Sequence, residues 1–199
     1  MLDFILTVDV PAPSRRERQR RAQLTIPPRI TPKMLWETAT HPSWALGTAR
    51  YGQPRLRFAE SYVKVKGNTS STAHPGYIIR GKPDWNYLSE LRDEWDGHII
   101  VTGVTSAHDA SKLKDVGADA VWVSNHSGRQ FDGGLSSIET LPGIRKAVGD
   151  NFPLIFDSGV EGGLDILRAI ALGANFVMLG RAFHYALAAL GKKGFEQMA

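Results

Sequence analysis

Two segments of the 199-residue chain repeat one local plan: VGADAVWVSN (Val116–Asn125) and LGANFVMLGR (Leu172–Arg181). Each runs from a helix end through a Gly-Ala turn and one polar residue into an apolar strand-like run. Repeated helix–strand units imply a parallel sheet joined by right-handed crossovers. Five short apolar runs fit as its strands: Phe4–Val8, Ile99–Val104, Ala120–Ser124, Leu154–Phe156 and Phe176–Leu179. They are continuous rather than alternating, as strands covered on both faces require. Helix patterns separate the last four. Ser106 to Asp109 opens one with a capping box, Ala107, Ala110 and Leu113 facing inward and Gly117 stopping it. Ile138, Leu141, Ile144 and Val148 mark the next, where Pro142 predicts a late start to the regular helix. Leu164, Leu167 and Ile170 mark a third, ended by Gly173. A (β/α)₈ barrel and an open doubly wound sheet both fit. No G-x-G-x-x-G follows the first strand, which removes the best support for a dinucleotide-binding fold.

Residues 11–82 interrupt this order. They are rich in Pro, Gly, Arg and Ser, with helix-like patches at Pro32–Thr40 and Trp44–Ala49. Such an excursion between a strand and its return helix has the character of a functional lid. The return helix is expected from Pro83-Asp84, with Trp85, Leu88, Leu91 and Trp95 on its inner face. The net charge of +4 comes largely from one run, Arg15 to Arg21, and lacks the wide basic stripe of a nucleic-acid surface. No apolar stretch reaches the length of a membrane span, and no signal pattern precedes the first strand. The absence of cysteine excludes disulfides and thiolate chemistry and suits a reducing compartment.

The polar residues of interest fall at the C-terminal ends of the strands, where active sites of α/β folds gather. These are Thr7 and Asp9, then Thr102, then Ser124-Asn125-His126, then Asp157-Ser158-Gly159, then Gly180-Arg181. His126 is a candidate base and the guanidinium of Arg129 suits a carboxylate, against the plainer readings of an exposed histidine and a surface ion pair. Asp9 can hold the second imidazole nitrogen, or it can cap a turn ahead of Pro11. The Gly-rich exits at Gly159, Gly162-Gly163 and Gly180-Arg181 favour a phosphate site over simple tight turns.

Together these residues resemble the FMN-dependent 2-hydroxy acid dehydrogenase and oxidase family, which oxidises L-lactate, glycolate and mandelate on a flavin barrel. The carrying motifs are LTVDVPAPSRRERQRR, VWVSNHSGRQFDG, IFDSGVEGGLDILRAIALGA and VMLGRAFHYALAALGKKG, which span nearly the whole chain. DSGV and GRAFHYALAALG resemble the bacterial L-lactate dehydrogenase-like members. The resemblance implies a partial (β/α)₈ barrel over residues 1–199, about the last five strand–helix units, with 11–82 as the lid-like excursion. It implies FMN as cofactor and a small 2-hydroxy acid as substrate, with His126 as base and Asp9 supporting its imidazolium. Arg16 and Arg129 would bind the substrate carboxylate. Thr7, Thr102 and Ser124 would lie on the flavin, and Asp157, Ser158, Gly159, Gly180 and Arg181 would hold the ribityl phosphate. No metal is implied. Cytoplasmic placement follows, with peripheral attachment to the inner membrane as a variant of it.

Two departures stand out. The family carries a Lys near flavin N1 where this chain has Thr102, which supplies no cation. The Arg that many relatives place after DSGV is Glu161, a charge that repels phosphate. The family's first three strands have no counterpart here, so five strands leave two open edges. The alternative is therefore an inactive remnant or interaction module that does not retain FMN. A flavin barrel acting on nitronates or nucleotides explains the Gly exits but not the His126–Arg129 pair. A homo-oligomer or a completing chain would close the open edges, and no motif names the electron acceptor.

Overall fold

The computed structural model describes residues 2–11, 21, 30–52, 83–131 and 133–199. Five strands form one parallel sheet: β1 (Phe4–Thr7), β2 (Ile99–Val104), β3 (Ala120–Val123), β4 (Leu154–Phe156) and β5 (Phe176–Val177). Their spatial order is their sequence order. A doubly wound sheet reverses direction at a switch point, and this one does not. The progression is that of a barrel wall, a partial (β/α)₈ barrel of five strand–helix units.

Among the described residues the helices are α1 (Pro32–Thr40), α2 (Pro42–Tyr51), α3 (Trp85–Glu94), α4 (Ala107–Asp115), α5 (Ser137–Val148), α6 (Gly163–Ala171), α7 (Arg181–Leu190) and α8 (Lys192–Met198). The chain divides into two compact units, Met1–Ser14 with Gly81–Ala199, and Arg15–Arg80. The first unit holds the sheet. The second holds the α1 and α2 helices, which match the helical patches expected from sequence.

The sheet presents two different faces. Val101, Val121, Val123, Leu154 and Phe156 are buried on the helix side against Leu88, Leu113, Leu141, Ile144 and Val148. Each such side chain contributes roughly 1.5–3 kcal/mol by leaving water. The register aligns Thr7, Thr102, Trp122, Ile155 and Phe176 across the sheet, and this row belongs to the opposite face. That face leads upward to the strand exits.

The internal repeat has a structural cause. Gly117 and Gly173 both have positive φ, +89° and +110°, and end α4 and α6. Two residues later Asp119 Oδ2 accepts from the Ile99 amide at 2.8 Å, and Asn175 Oδ1 accepts from the Leu154 amide at 2.9 Å. An arginine clamps each turn: Arg92 donates to Gly117 O and Asp119, and Arg145 to Gly173 O and Asn175. The repeated Gly-Ala-polar pattern thus stitches each helix end to the start of the preceding strand.

Two expectations need correction. Helix α5 starts at Ser137, with Ser136 and Glu139 as its capping box, and it runs through Pro142. The strong cap and the buried Leu141, Ile144 and Val148 outweigh the one backbone bond that proline removes. In α6 the Leu164–Leu167–Ile170 stripe locates the helix but stays exposed, while Ala169 is buried and Ile166 packs on the core. Among the described residues, no helix is long and apolar enough to cross a membrane.

Candidate active site

The exits of β1, β3, β4 and β5 surround the chemistry. Strand β1 ends at Thr7, and two residues on Asp9 sits on the exit. After β3 the chain turns through His126–Gly128, with His126 at φ +50°, Ser127 at +56° and Gly128 at +68°. Two non-glycine residues in this left-handed region are unusual and point to a loop held by its surroundings. Its grips are visible. Asn125 Oδ1 accepts from the Gly128 amide at 3.2 Å, and the Asn125 amide side chain donates to Leu135 O at 3.2 Å. Ser124 Oγ, on a residue 1% exposed, accepts from the His126 amide at 3.2 Å.

The turn presents His126 Nδ1 to Asp9 Oδ2 at 2.6 Å. A carboxylate only accepts, so Nδ1 carries the hydrogen and Nε2 is left with a lone pair. The His126 side chain is 36% exposed and the Asp9 side chain 17%, so the pair is shielded but reachable. The hydrogen bond to Asp9 raises the His126 pKa above its ordinary 6.5. Burial and the Arg129 charge oppose that rise, while the Asp9 and Asp157 charges add to it. The result is an imidazole that takes a proton readily and holds it as an ion pair.

Gly103 makes this pairing possible. It interrupts β2 with φ +96°, at the irregularity between Thr102 and Val104. A Cβ there would lie 2.4 Å from Asp9 Oδ1. The carboxylate is wedged against the glycine backbone, with Oδ1 buried and without a hydrogen-bond partner among the described residues. The sequence signal for this residue was available: a lone Gly inside a strand marks a bulge or close approach.

An open cleft of about 750 Å³ connects these exits. Its walls include His126, Arg129, Asp157, Ser158, Gly159, Gly180 and Arg181, which brings seven of the sequence candidates to one space. Trp122, Tyr185 and Met198 also line it, and the sequence reading did not single them out. Arg129 forms no ion pair among the described residues. Thr102 is buried at 7% exposure and Thr7 is exposed; Thr102 lies beside Trp122 in register. Arg16 lies outside the described residues.

The far end of the cleft suits an anion. Helix α6 begins after Gly162 and α7 after Gly180, and neither N-cap receives a side-chain hydrogen bond. A Cβ built on Gly159, Gly162, Gly163 or Gly180 would meet nothing within 4 Å. Helix starts without a capping side chain, open space at the glycines and Arg181 at the head of α7 give a glycine-lined cradle that suits an anion. The Glu161 amide donates to Asp165 Oδ2 at 3.1 Å, and Glu161 lines the cleft beside this cradle. Among the described residues no three His, Asp or Glu side chains are grouped to hold a metal ion.

A one-way parallel wall with a His–Asp pair and open, glycine-lined strand exits defines an α/β-barrel protein with its polar residues gathered at the strand ends. Residues 2–199 match the FMN-dependent dehydrogenase family, and the chain belongs to it. It is 38% identical to an L-lactate dehydrogenase of Pseudomonas entomophila (strain L48), over 98% of this chain and 51% of that protein. It is 40% identical to an L-lactate dehydrogenase of Caulobacter sp. (strain K31), over 98% of this chain and 52% of that one. Among solved structures it is similar to a monotopic membrane protein, (S)-mandelate dehydrogenase. The TM-score is 0.86 at 36% identity, covering 98% of this chain and 51% of the other. A mandelate oxidase with (S)-2-phenylpropionate gives a TM-score of 0.66 at 28% identity, covering 97% and 45%. The chain spans about half the length of the curated relatives it matches.

Proposed function

We propose that the chain carries the base, the carboxylate clamp and the phosphate-holding end of an FMN-dependent oxidation of a lactate-like L-2-hydroxy acid to its 2-oxo acid. The observation that carries this reading is the His126–Asp9 pair opening into the same cleft as Arg129 and the glycine cradle. The L-lactate dehydrogenase relatives support the substrate class.

The residues fit the phosphate end of FMN: the cradle is open, uncapped and headed by Arg181. Gly159, Gly180 and Arg181 would hold the phosphate, with Asp157 and Ser158 shaping the β4 exit. Thr7, Thr102 and Ser124 would line the flavin side. When bound, FMN supplies the acceptor for two electrons and the second hydrogen. His126 Nε2 takes the substrate proton, and Asp9 stabilises the imidazolium through Nδ1–H. Arg129 holds the substrate carboxylate in a fork, which orients the reacting carbon toward the imidazole. Arg16 is proposed as a second carboxylate contact. Thr102 offers a hydroxyl where the resemblance implies a cation, so stabilisation of negative charge there is weaker.

The test is direct. The purified chain is mixed with FMN, desalted and read for flavin absorbance, then assayed for L-lactate-dependent dye reduction. Retained flavin with activity that vanishes in His126→Ala is expected. A colourless chain would instead leave the inactive-remnant reading, and full activity in His126→Ala would remove the assigned base.

Peripheral attachment to a membrane surface belongs to the same proposal. Helices α1 and α2 expose Leu35, Trp36, Trp44, Leu46 and Tyr51, with Lys33 and Arg50 beside them. Exposed tryptophans and leucines flanked by basic side chains suit a lipid headgroup boundary. Co-sedimentation with anionic vesicles is expected, and it is expected to fail in Trp36→Ser/Trp44→Ser.

A further inference from the structure

We infer that Ser158 is a positioning residue: its hydroxyl, projecting from the β4 exit, anchors the left-handed β3 exit loop and so sets where His126 stands. The inference goes beyond the proposed reaction and rests on it only in taking His126 as the base.

His126, Ser127 and Gly128 are three consecutive residues with positive φ, and the amides of this loop end on side chains: His126 on Ser124 Oγ and Gly128 on Asn125 Oδ1. Ser158 Oγ takes two more, accepting from the Asn125 amide at 3.3 Å and the Ser127 amide at 3.1 Å. Its own hydrogen is committed, since Oγ donates to Asp157 Oδ1 at 2.7 Å. That bond aims both lone pairs at the loop. Ser124 Oγ, which holds the intervening His126 amide, lies 3.4 Å from Ser158 Oγ. The amides on both sides of His126 therefore end on one side chain, contributed by the next strand.

Ser158 is itself held at φ +79°. A serine in a conformation that favours glycine needs a reason. A phosphate ligand would do as well with glycine, whose N–H is the same and whose φ is free. The hydroxyl is the feature that glycine lacks.

The experiment reads geometry rather than turnover. In the ligand-free chain, amide exchange is measured at Asn125 and Ser127, and His126 is titrated by its ring carbon–proton resonance. In the unaltered protein both amides are expected to be slowed well below free-peptide rates; free-peptide exchange at both overturns the inference with no variant needed. In Ser158→Gly, which removes the hydroxyl and relaxes the backbone, the His126 midpoint is expected to fall by ~0.3 unit or more toward its ordinary value. Freeing Asp157 from the hydroxyl would act in the opposite direction, so a fall reports the loss of the Asp9 geometry. Ser158→Ala is expected to behave like Ser158→Gly in titration and to melt lower.

An unchanged midpoint in Ser158→Gly, with or without weaker binding of inorganic phosphate, overturns the inference. If strain at residue 158 were all that mattered, glycine would leave His126 untouched, which is the same overturning result. A chain that oxidises no lactate still yields these readings, so failure of the proposed reaction and failure of this inference are separate results.

Discussion

Asp9 Oδ2 and His126 Nδ1 lie 2.6 Å apart although 117 residues separate them in sequence. The contact joins the exit of β1 to the exit of β3 across the top of β2. It fixes the tautomer of the ring and raises its pKa. In its proposed role as base His126 acts in the neutral form, so kcat/KM for the proposed 2-hydroxy acid oxidation is expected to fall as pH drops through that raised pKa. In Asp9→Asn the midpoint is expected to move down toward 6.5 and the acidic limb to move with it. A pH–rate profile paired with His126 titration checks both, and a limb that stays in place removes His126 as its source.

The same pair predicts a pH dependence of stability. The folded pKa of His126 lies above its unfolded value of about 6.5. Its stabilising contribution is therefore fully present below pH ~6.5 and is lost as pH rises through the folded pKa. Urea unfolding at pH 6 and pH 8 is expected to show this difference in the unaltered chain. In His126→Asn the pH difference should shrink.

Gly103→Ala is expected to reproduce much of the Asp9→Asn titration. The added Cβ would fall 2.4 Å from Asp9 Oδ1, so the carboxylate has to leave its place. Alanine at φ +96° adds backbone strain of about 1 kcal/mol or more. Lower stability together with a lowered His126 midpoint is the expected outcome. A stability loss with the midpoint unchanged would separate Gly103 from the pair.

These contacts show which parts of the site were legible in sequence. The strands and their polar exits were visible because each is a local pattern, an apolar run closing on His126 or Gly180-Arg181. The residue patterns alone left a barrel and a doubly wound sheet open, because strand order is set by pairing between distant segments; the family resemblance implied the barrel, and the strand order bears it out. The Ser158 hydroxyl and the Gly103–Asp9 contact were hidden for a related reason: each joins residues from different strands. Pro142 by itself predicts a late helix start, but the Ser136–Glu139 capping box, which lies outside the apolar periodicity, sets the start at Ser137. Arg92 and Arg145 sit on helices, and no local sequence pattern marks them as clamps of the turns. Their role depends on glycine turns that lie 25 and 28 residues further on.

That role gives a stability prediction. Arg145 Nε and Nη2 donate to Gly173 O at 2.9 and 2.7 Å, and Nη1 donates to Phe152 O at 2.7 Å. Removing a charged donor from several partly buried carbonyls costs about 2–3 kcal/mol. Arg145→Ala is expected to lower the urea midpoint accordingly. Arg145→Lys should recover only part of the loss, because one ammonium cannot span carbonyls on both sides. Equal stability of both variants and the parent would make the clamp incidental.

Glu161 offers the opposite kind of change, a gain. It lines the cleft beside the uncapped starts of α6 and α7, where the partial positive charge of the helix ends favours an anion. A carboxylate at this place opposes the phosphate that the proposed function assigns to the glycine cradle. Its amide donates to Asp165 through the backbone, so Glu161→Gln leaves that bond intact and removes only the charge. The side chain is exposed, so solvent screens the repulsion to about 0.5–1 kcal/mol at low salt. That corresponds to roughly 2- to 5-fold tighter binding of FMN or inorganic phosphate. The gain should fade as salt is raised, since the Debye length shrinks to about 3 Å near 1 M. Isothermal titration of parent and Glu161→Gln at low and high ionic strength checks it. Equal affinities at low salt would move the phosphate away from the β4 exit.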